Sequence, residues 1–318
     1  MLDNFIFSIN TTLPMVILVF AGIFFRKIGF INSVFLAGGN KIVFYVAMPI
    51  LIFRSLASAN LIDVLDLDFA LFNAVFTVCA IFIIWGLSYL AFRKKAPGVI
   101  SAFAQGSYRG NIGILALPVL LAIVAEENAA KGALVIAVLI PIYNILSVIL
   151  LVVHSEKMSG LSLKPVLFGV IKNPPIIATI MGLAVAFSDI QLPIFAYTTV
   201  DQLAALATPL ALICLGGGMV FEGFGSRFRY SVIASIIKIF LLPMAAGILA
   251  YLYGFRGDTL VTIIIMQGVP SAVISYVMVS QIGGDLYVAA TNVLITTIMS
   301  AFSLTFLIFV MRTMGILV

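Results

Sequence analysis

Arg109 and Asn111 are the residues best suited to chemistry in this chain. They lie in Ser107-Tyr108-Arg109-Gly110-Asn111-Ile112-Gly113-Ile114-Leu115-Ala116-Leu117-Pro118, within an apolar run long enough to cross a bilayer. A guanidinium fork holds a carboxylate through two parallel hydrogen bonds. A neighbouring side-chain amide adds further donors. The chemistry is recognition of an organic anion rather than bond breaking. Ionisable groups inside a membrane segment are costly and usually face a cavity or a partner. Gly110, Gly113 and Pro118 each disfavour a continuous helix, and hydrocarbon tolerates unwound backbone only where protein or water covers it. Arg109 has a second use open to it, binding backbone carbonyls freed by the break.

A second interruption reads Met266-Gln267-Gly268-Val269-Pro270-Ser271-Ala272-Val273-Ile274-Ser275. Pro270 has no amide hydrogen, and Gly268 permits an unwound backbone. Paired interruptions of this kind point to a transporter's central site, and half-helix N-termini favour a bound anion. The expected substrate contacts are Ser107, Arg109, Gly110, Asn111, Gln267, Pro270 and Ser271. Gly113, Pro118 and Gly268 are expected to shape the breaks. The sequence has no paired catalytic carboxylates, no HExxH and no nucleophile elbow, so no enzyme, cofactor or metal centre is expected.

The elements that must position these residues follow from composition. Of 318 residues, 63% are hydrophobic and 9% charged, against about 25% charged in a soluble domain. That is the composition of an all-α polytopic membrane protein. Ten candidate spans run over 9–25, 41–58, 70–92, 98–124, 131–153, 166–187, 200–221, 230–253, 259–282 and 286–311. Alternate loops hold 11 Lys and Arg residues against 4 on the other side and at the termini, with Arg109 and Lys238 inside spans. The positive-inside rule then places both termini outside. The net charge of +5 is spread over loops and gives no nucleic-acid footprint. Arg26 and Lys27 follow the first span rather than precede it, so that span is expected to be retained.

The halves echo each other. Pro14/Pro174, Gly22/Gly182 and Pro49/Pro209 are each 160 apart, and Gln105-Gly106 precedes Gln267-Gly268 by 162. Five spans per copy make the repeat inverted: 1–153, then a short cytoplasmic connection at 154–165, then 166–318.

All 12 acidic residues fall in loops or at span ends. Carboxylate proton relays within spans are therefore not expected. His154, the one histidine, reads as solvated at a boundary with nothing to pair with. Lys238 reads as a snorkelling side chain. Asn144 and Asn292 read as interhelical hydrogen-bonding residues. Asp63, Asp66 and Asp68 read as a solvated loop, and Cys79 and Cys214 as small buried hydrophobes.

Arg109-Gly110-Asn111-Ile112-Gly113 through Pro118 resembles the fourth-span signature of the auxin efflux carrier family, which includes plant PIN exporters and bacterial permeases for malate and malonate. Lys172-Asn173-Pro174-Pro175 looks like its Asn-Pro motif. Gly268-Val269-Pro270-Ser271 with Gly283-Gly284-Asp285 resembles its ninth-span region. The resemblance runs along almost the whole chain. It implies ten helices in two inverted five-helix repeats, with helices four and nine broken and crossing. Spans 1, 2, 6 and 7 would form a dimerising scaffold, and spans 3–5 and 8–10 a transport domain moving as an elevator. Asn111 matches the signature's Asn, which touches substrate in the plant exporters, and Pro118 its crossover Pro. Ser271 stands where those exporters carry another polar residue. The short connection at 154–165 favours a microbial permease. The expected function is secondary transport of small organic anions across the cell membrane by a homodimer. A sodium-coupled symporter of the bile-acid type, with sodium held by neutral oxygens, is the alternative, and a non-transporting receptor is disfavoured. The expected partners are the anion and the lipid bilayer.

Overall fold

The computed structural model describes residues 2–57, 66–116, 119–120, 123–124, 126–155, 172, 174–188, 193–218 and 227–316. Pro118, Asp63, Asn173 and most of the connection at 154–165 lie outside them. The described chain is built of helices, and its one isolated β-bridge joins Gly110 to Ser271. In order these are α1 Leu2–Lys27, α2 Ser33–Ile42, α3 Met48–Ala57, α4 Leu67–Phe92, α5 Pro97–Tyr108 and α6 Glu126–Val153. There follow α7 Pro174–Ala186, α8 Ile194–Gly218, α9 Phe228–Ile236, α10 Leu242–Tyr253, α11 Gly257–Gly268, α12 Val273–Ile282 and α13 Leu286–Thr313. Four runs among the described residues are long and apolar enough to cross a membrane: Ser33–Arg54, Leu67–Phe92, Ile194–Gly218 and Phe228–Tyr253. A fifth is added when Leu286–Ser300 and Phe302–Thr313 count as one bent span.

Three single π turns interrupt the α-helices, at Val43–Ala47, Ile112–Ala116 and Ile237–Leu241. In the sequence each is followed by one residue and then a proline: Met48-Pro49, Leu117-Pro118 and Leu242-Pro243. Proline supplies no amide hydrogen and its ring crowds the carbonyl four residues back. At the first and third turns the ladder widens by one residue just before it, with the Met48 amide bonding to the Val43 carbonyl and the Leu242 amide to that of Ile237. The extra residue rotates the side chains of the turn relative to the helix on either side. π turns of this length often mark functional positions.

Helix starts follow ordinary capping chemistry. Asn32, Asp66 and Asp285 each accept the amide of the residue three positions on, at 2.9, 3.1 and 3.0 Å, which satisfies one of a helix's orphan donors. Asp66 also pairs with Lys131 at 3.4 Å, so it caps and bridges rather than standing free in a loop.

The broken helices lie at the centre. Every residue of α5 from Gly98 to Tyr108 is buried, and so is every residue from Leu260 to Val273. Around them α4 packs on α5 and α6, α9 on α5 and α13, and α10 on α11. α1 packs on α8 and α13, and α3 on α7 and α8. Gly216 lets α8 meet α1, since a Cβ there would lie 2.0 Å from the Val19 carbonyl oxygen. The outer faces stay apolar: Leu71, Val75, Phe82, Ile83, Leu87 and Leu90 of α4 are all exposed. Such a face suits hydrocarbon rather than water.

Candidate functional site

The two breaks meet. α5 ends at Tyr108 and the backbone turns extended at Arg109 (φ −78°, ψ 103°). α11 ends at Gly268, and α12 begins at Val273 after an extended Ala272 (φ −69°, ψ 130°). Between them Gly110 and Ser271 pair in antiparallel fashion. The Asn111 amide donates to the Pro270 carbonyl at 2.8 Å, and the Ala272 amide to the Arg109 carbonyl at 2.9 Å. Each break thus satisfies backbone groups of the other, the condition under which unwound chain survives inside a membrane protein.

The remaining backbone groups also find partners. Were α11 to continue, the Ser271 amide would bond to the Gln267 carbonyl. That amide donates instead to Thr296 Oγ1 at 3.1 Å, while the Gln267 carbonyl accepts Lys238 Nζ. The Gly106 carbonyl accepts Ser271 Oγ at 2.7 Å. Asn292, its amide oriented to suit its neighbours, donates to Ser271 Oγ at 2.8 Å and accepts from the Ser235 amide at 3.2 Å. Asn144 accepts Arg109 Nη2 at 2.6 Å and donates to Thr179 Oγ1 at 3.1 Å. Both asparagines therefore make the interhelical bonds expected of them.

Arg109 is buried. Besides Asn144, its guanidinium donates through Nη1 to the Tyr143 carbonyl at 3.1 Å and lies 3.3 Å from Met278 Sδ. The carbonyl it binds belongs to α6 and not to either break, so the expected use on carbonyls freed by the break is not what the structure shows. Lys238 departs from its expectation. It is fully buried, with its ammonium on the Gln267 carbonyl rather than snorkelling to a headgroup. The π turn Ile237–Leu241 carries it to the centre, against α5, α11 and α13.

A cavity opens beside the crossover, with about 490 Å³ of empty space including its mouth. Arg109, Gly110, Asn111, Tyr143, Asn144 and Ala272 line it, together with Leu51 and Ile52 of α3. The Asn111 side chain makes no hydrogen bond among the described residues and stays 7% exposed. The first turns that begin at Ile112 and Val273 leave their leading amides without intrahelical acceptors. Ile112 and Ile274 of those turns border the same cavity. It therefore joins an uncommitted side-chain amide, a held guanidinium and the N-terminus of α12, a combination that attracts an anion.

The expected contacts thus divide. Arg109, Gly110 and Asn111 border the cavity. Ser107 donates to the Phe103 carbonyl at 2.8 Å, and Gln267 Nε2 to Thr77 Oγ1 at 3.2 Å. With Pro270 and Ser271 they form the frame behind the cavity. Gly268 packs under Leu307, whose Cδ1 lies 2.8 Å from where a Cβ would be. Gly113 is in the π turn that follows the first break. Tyr143 and Asn144 are site-lining residues that the sequence reading did not place there. An asparagine two turns before the end of an apolar span was their one signal.

Two further expectations are corrected. His154 is buried, and its Nε2 accepts the Trp85 indole at 2.8 Å, with Tyr89 beside it. The chain fold brings α4 against the end of α6, 69 residues away in sequence, and no local pattern signals that. Cys214 is buried but Cys79 is exposed on the outer face of α4.

Comparison with known proteins gives a consistent picture. A family model described as a membrane transport protein matches residues 7–161 and 154–308. An uncharacterized transporter of Methanocaldococcus jannaschii is 26% identical over 298 residues, covering 92% of this chain and 94% of that one. An uncharacterized transporter of Methanothermobacter thermautotrophicus is 25% identical over 305 residues, covering 94% and 97%. A protein of Rhizobium meliloti provisionally named a malonate transporter is 25% identical over 285 residues, 86% of each chain.

Proposed function

Since the chain belongs to the membrane transport protein family, of the auxin efflux carrier type, we propose that it is a secondary carrier of small organic anions. A family of transporters rather than enzymes agrees with the lack of catalytic motifs. The observation that carries the anion reading is the cavity at the crossover, where the free Asn111 side-chain amide and the Arg109 guanidinium meet the N-terminus of α12. The name of the Rhizobium meliloti relative supports a short dicarboxylate such as malonate as the first substrate to try.

The proposed architecture is ten spans in two inverted repeats, 1–153 and 166–318, joined by 154–165. Packing of α1 on α8 and of α3 on α7 supports a scaffold made of spans 1, 2, 6 and 7. α4–α6 and α9–α13 enclose the crossover and suit a transport domain. The cavity lies where that domain meets α3, which supports elevator-type movement of the site past the scaffold. An apolar groove between Tyr45, Pro49 and Phe53 of span 2 and Ile177 and Met181 of α7 supports homodimerisation there. The charge bias supports the cell membrane as location, with both termini outside.

In this reading Asn111 contacts the anion, Arg109 supplies positive potential while held by Asn144, and Gly110 lets the backbone approach. Ser107, Gln267, Pro270 and Ser271 hold the frame. The test is malonate uptake into proteoliposomes. Asn111→Ala should lose at least about tenfold in uptake, equivalent to ~1.4 kcal/mol, with an unchanged melting temperature. Normal uptake by that variant would sink the site assignment.

A further inference from the structure

Lys238 sits in an unusual position for a lysine. It is fully buried, and the Gln267 carbonyl is the one hydrogen-bond acceptor that the described residues give its ammonium. Among the described residues no carboxylate pairs with it. Burying an ammonium without a counter-ion is costly. A smaller neutral donor would satisfy a single carbonyl at far lower cost, so a lysine here needs a reason.

Geometry supplies one. The ammonium replaces the Ser271 amide on the Gln267 carbonyl at the C-terminal end of α11, where the helix dipole is negative. The Ser271 amide is thereby released to Thr296, and the Pro270 carbonyl is left to receive the Asn111 amide. Lys238 also reaches the first break. A Cβ on Gly110 would lie 3.2 Å from Nζ and 3.3 Å from Cε. One side-chain nitrogen therefore reaches both breaks, at a carbonyl oxygen freed by unwinding. Carbonyl oxygens freed in broken transporter helices are the usual ligands of coupled sodium ions.

We propose that Lys238 is a built-in cation that holds the crossover open in the place a bound metal cation would otherwise fill, so that the carrier cycles without one. It is a positioning residue, acting on Asn111 through Gln267 and Pro270. The proposal rests on the carrier reading above, and one arm of its test is independent of that reading.

The thermal arm uses the full chain purified in detergent, at constant ionic strength, in choline, sodium or methylammonium chloride. Lys238→Ala leaves a space beside the carbonyl, and Lys238→Met fills it without charge. Methylammonium should raise the melting temperature of K238A by about 2–4 °C, as a ligand that binds only the folded state does. Wild type and K238M should not respond. If K238A gains no more than wild type from either cation, the proposal is overturned.

The transport arm measures malonate uptake in proteoliposomes. Wild type should take up malonate equally in sodium and choline. K238M should fall at least about tenfold, and methylammonium should restore part of the K238A rate. Wild-type rates in K238M, or sodium-dependent uptake by wild type, would each overturn the proposal. K238M keeps the side-chain volume, so it tests the charge even where K238A does not fold. Failure of wild type to move malonate, with the thermal response of K238A intact, would remove the malonate reading and leave the cation site standing.

Discussion

Among single residues, the polar groups of the core sort by whether they are already partnered. Arg109, Gln267, Ser271 and Lys238 each hold a group freed by unwinding or lock a neighbouring helix. Asn111 alone of the expected contacts borders the cavity with its side chain uncommitted, which is why its truncation should affect uptake and not folding. His154 carries a different prediction. To accept the Trp85 indole its Nε2 must be unprotonated, and burial pulls its pKa below the ordinary 6.5. The sign follows from linkage: the unfolded chain takes up the proton first as pH falls. The contribution is intact above about 6.5 and declines below it, until the folded state is itself protonated. Melting temperature should drop between pH 7 and pH 5, with a shallower slope in His154→Gln. Trp85 is the sole tryptophan, so its fluorescence should change over the same range and not in the variant. A pH-independent signal would show that the pair does not titrate.

Among elements, the decisive device is a proline placed one residue past a π turn. Between α9 and α10 the π turn so placed carries Lys238, and after the first break the turn Ile112–Ala116 is followed in the sequence by Leu117 and Pro118. Close approach at the crossover depends on glycine. A Cβ at Gly110 would meet Val269 Cγ2 at 3.0 Å and Lys238 Nζ at 3.2 Å. Both of these residues are fully buried. Gly110→Ala should therefore lower stability by ~1–3 kcal/mol, as overpacking does, and reduce uptake more than Gly38→Ala, where no atom lies within 4 Å. Equal melting temperatures and rates for the two variants would show that the crossover yields.

For the whole molecule, the cavity is shared between the crossover and α3, so movement of one past the other should carry the site. Leu51 of α3 and Ala272 of the crossover both line it. In a background with Cys79→Ser and Cys214→Ala, Leu51→Cys with Ala272→Cys should be bridged by a short bifunctional thiol reagent. Bridging should abolish uptake, and the same reagent on either single variant should not. Full uptake by the bridged pair would mean that the two bodies do not separate during transport.

The sequence alone determined that the chain lives in a bilayer, because 63% hydrophobic residues with 9% charged leave no other solvent for it. It also located both breaks, since a missing amide hydrogen at Pro270 and the run of Arg109, Gly110 and Asn111 act through local backbone chemistry. The family resemblance at Arg109–Pro118 was legible for the same reason. What each polar side chain does was decided only by the tertiary structure. Arg109 meets Asn144 from 35 positions away, Lys238 meets Gln267 from 29, and Trp85 meets His154 from 69. A snorkelling lysine and one that holds a broken helix have the same local sequence. They differ in which way a π turn rotates the side chain and in which carbonyl waits there, and both depend on how the helices pack.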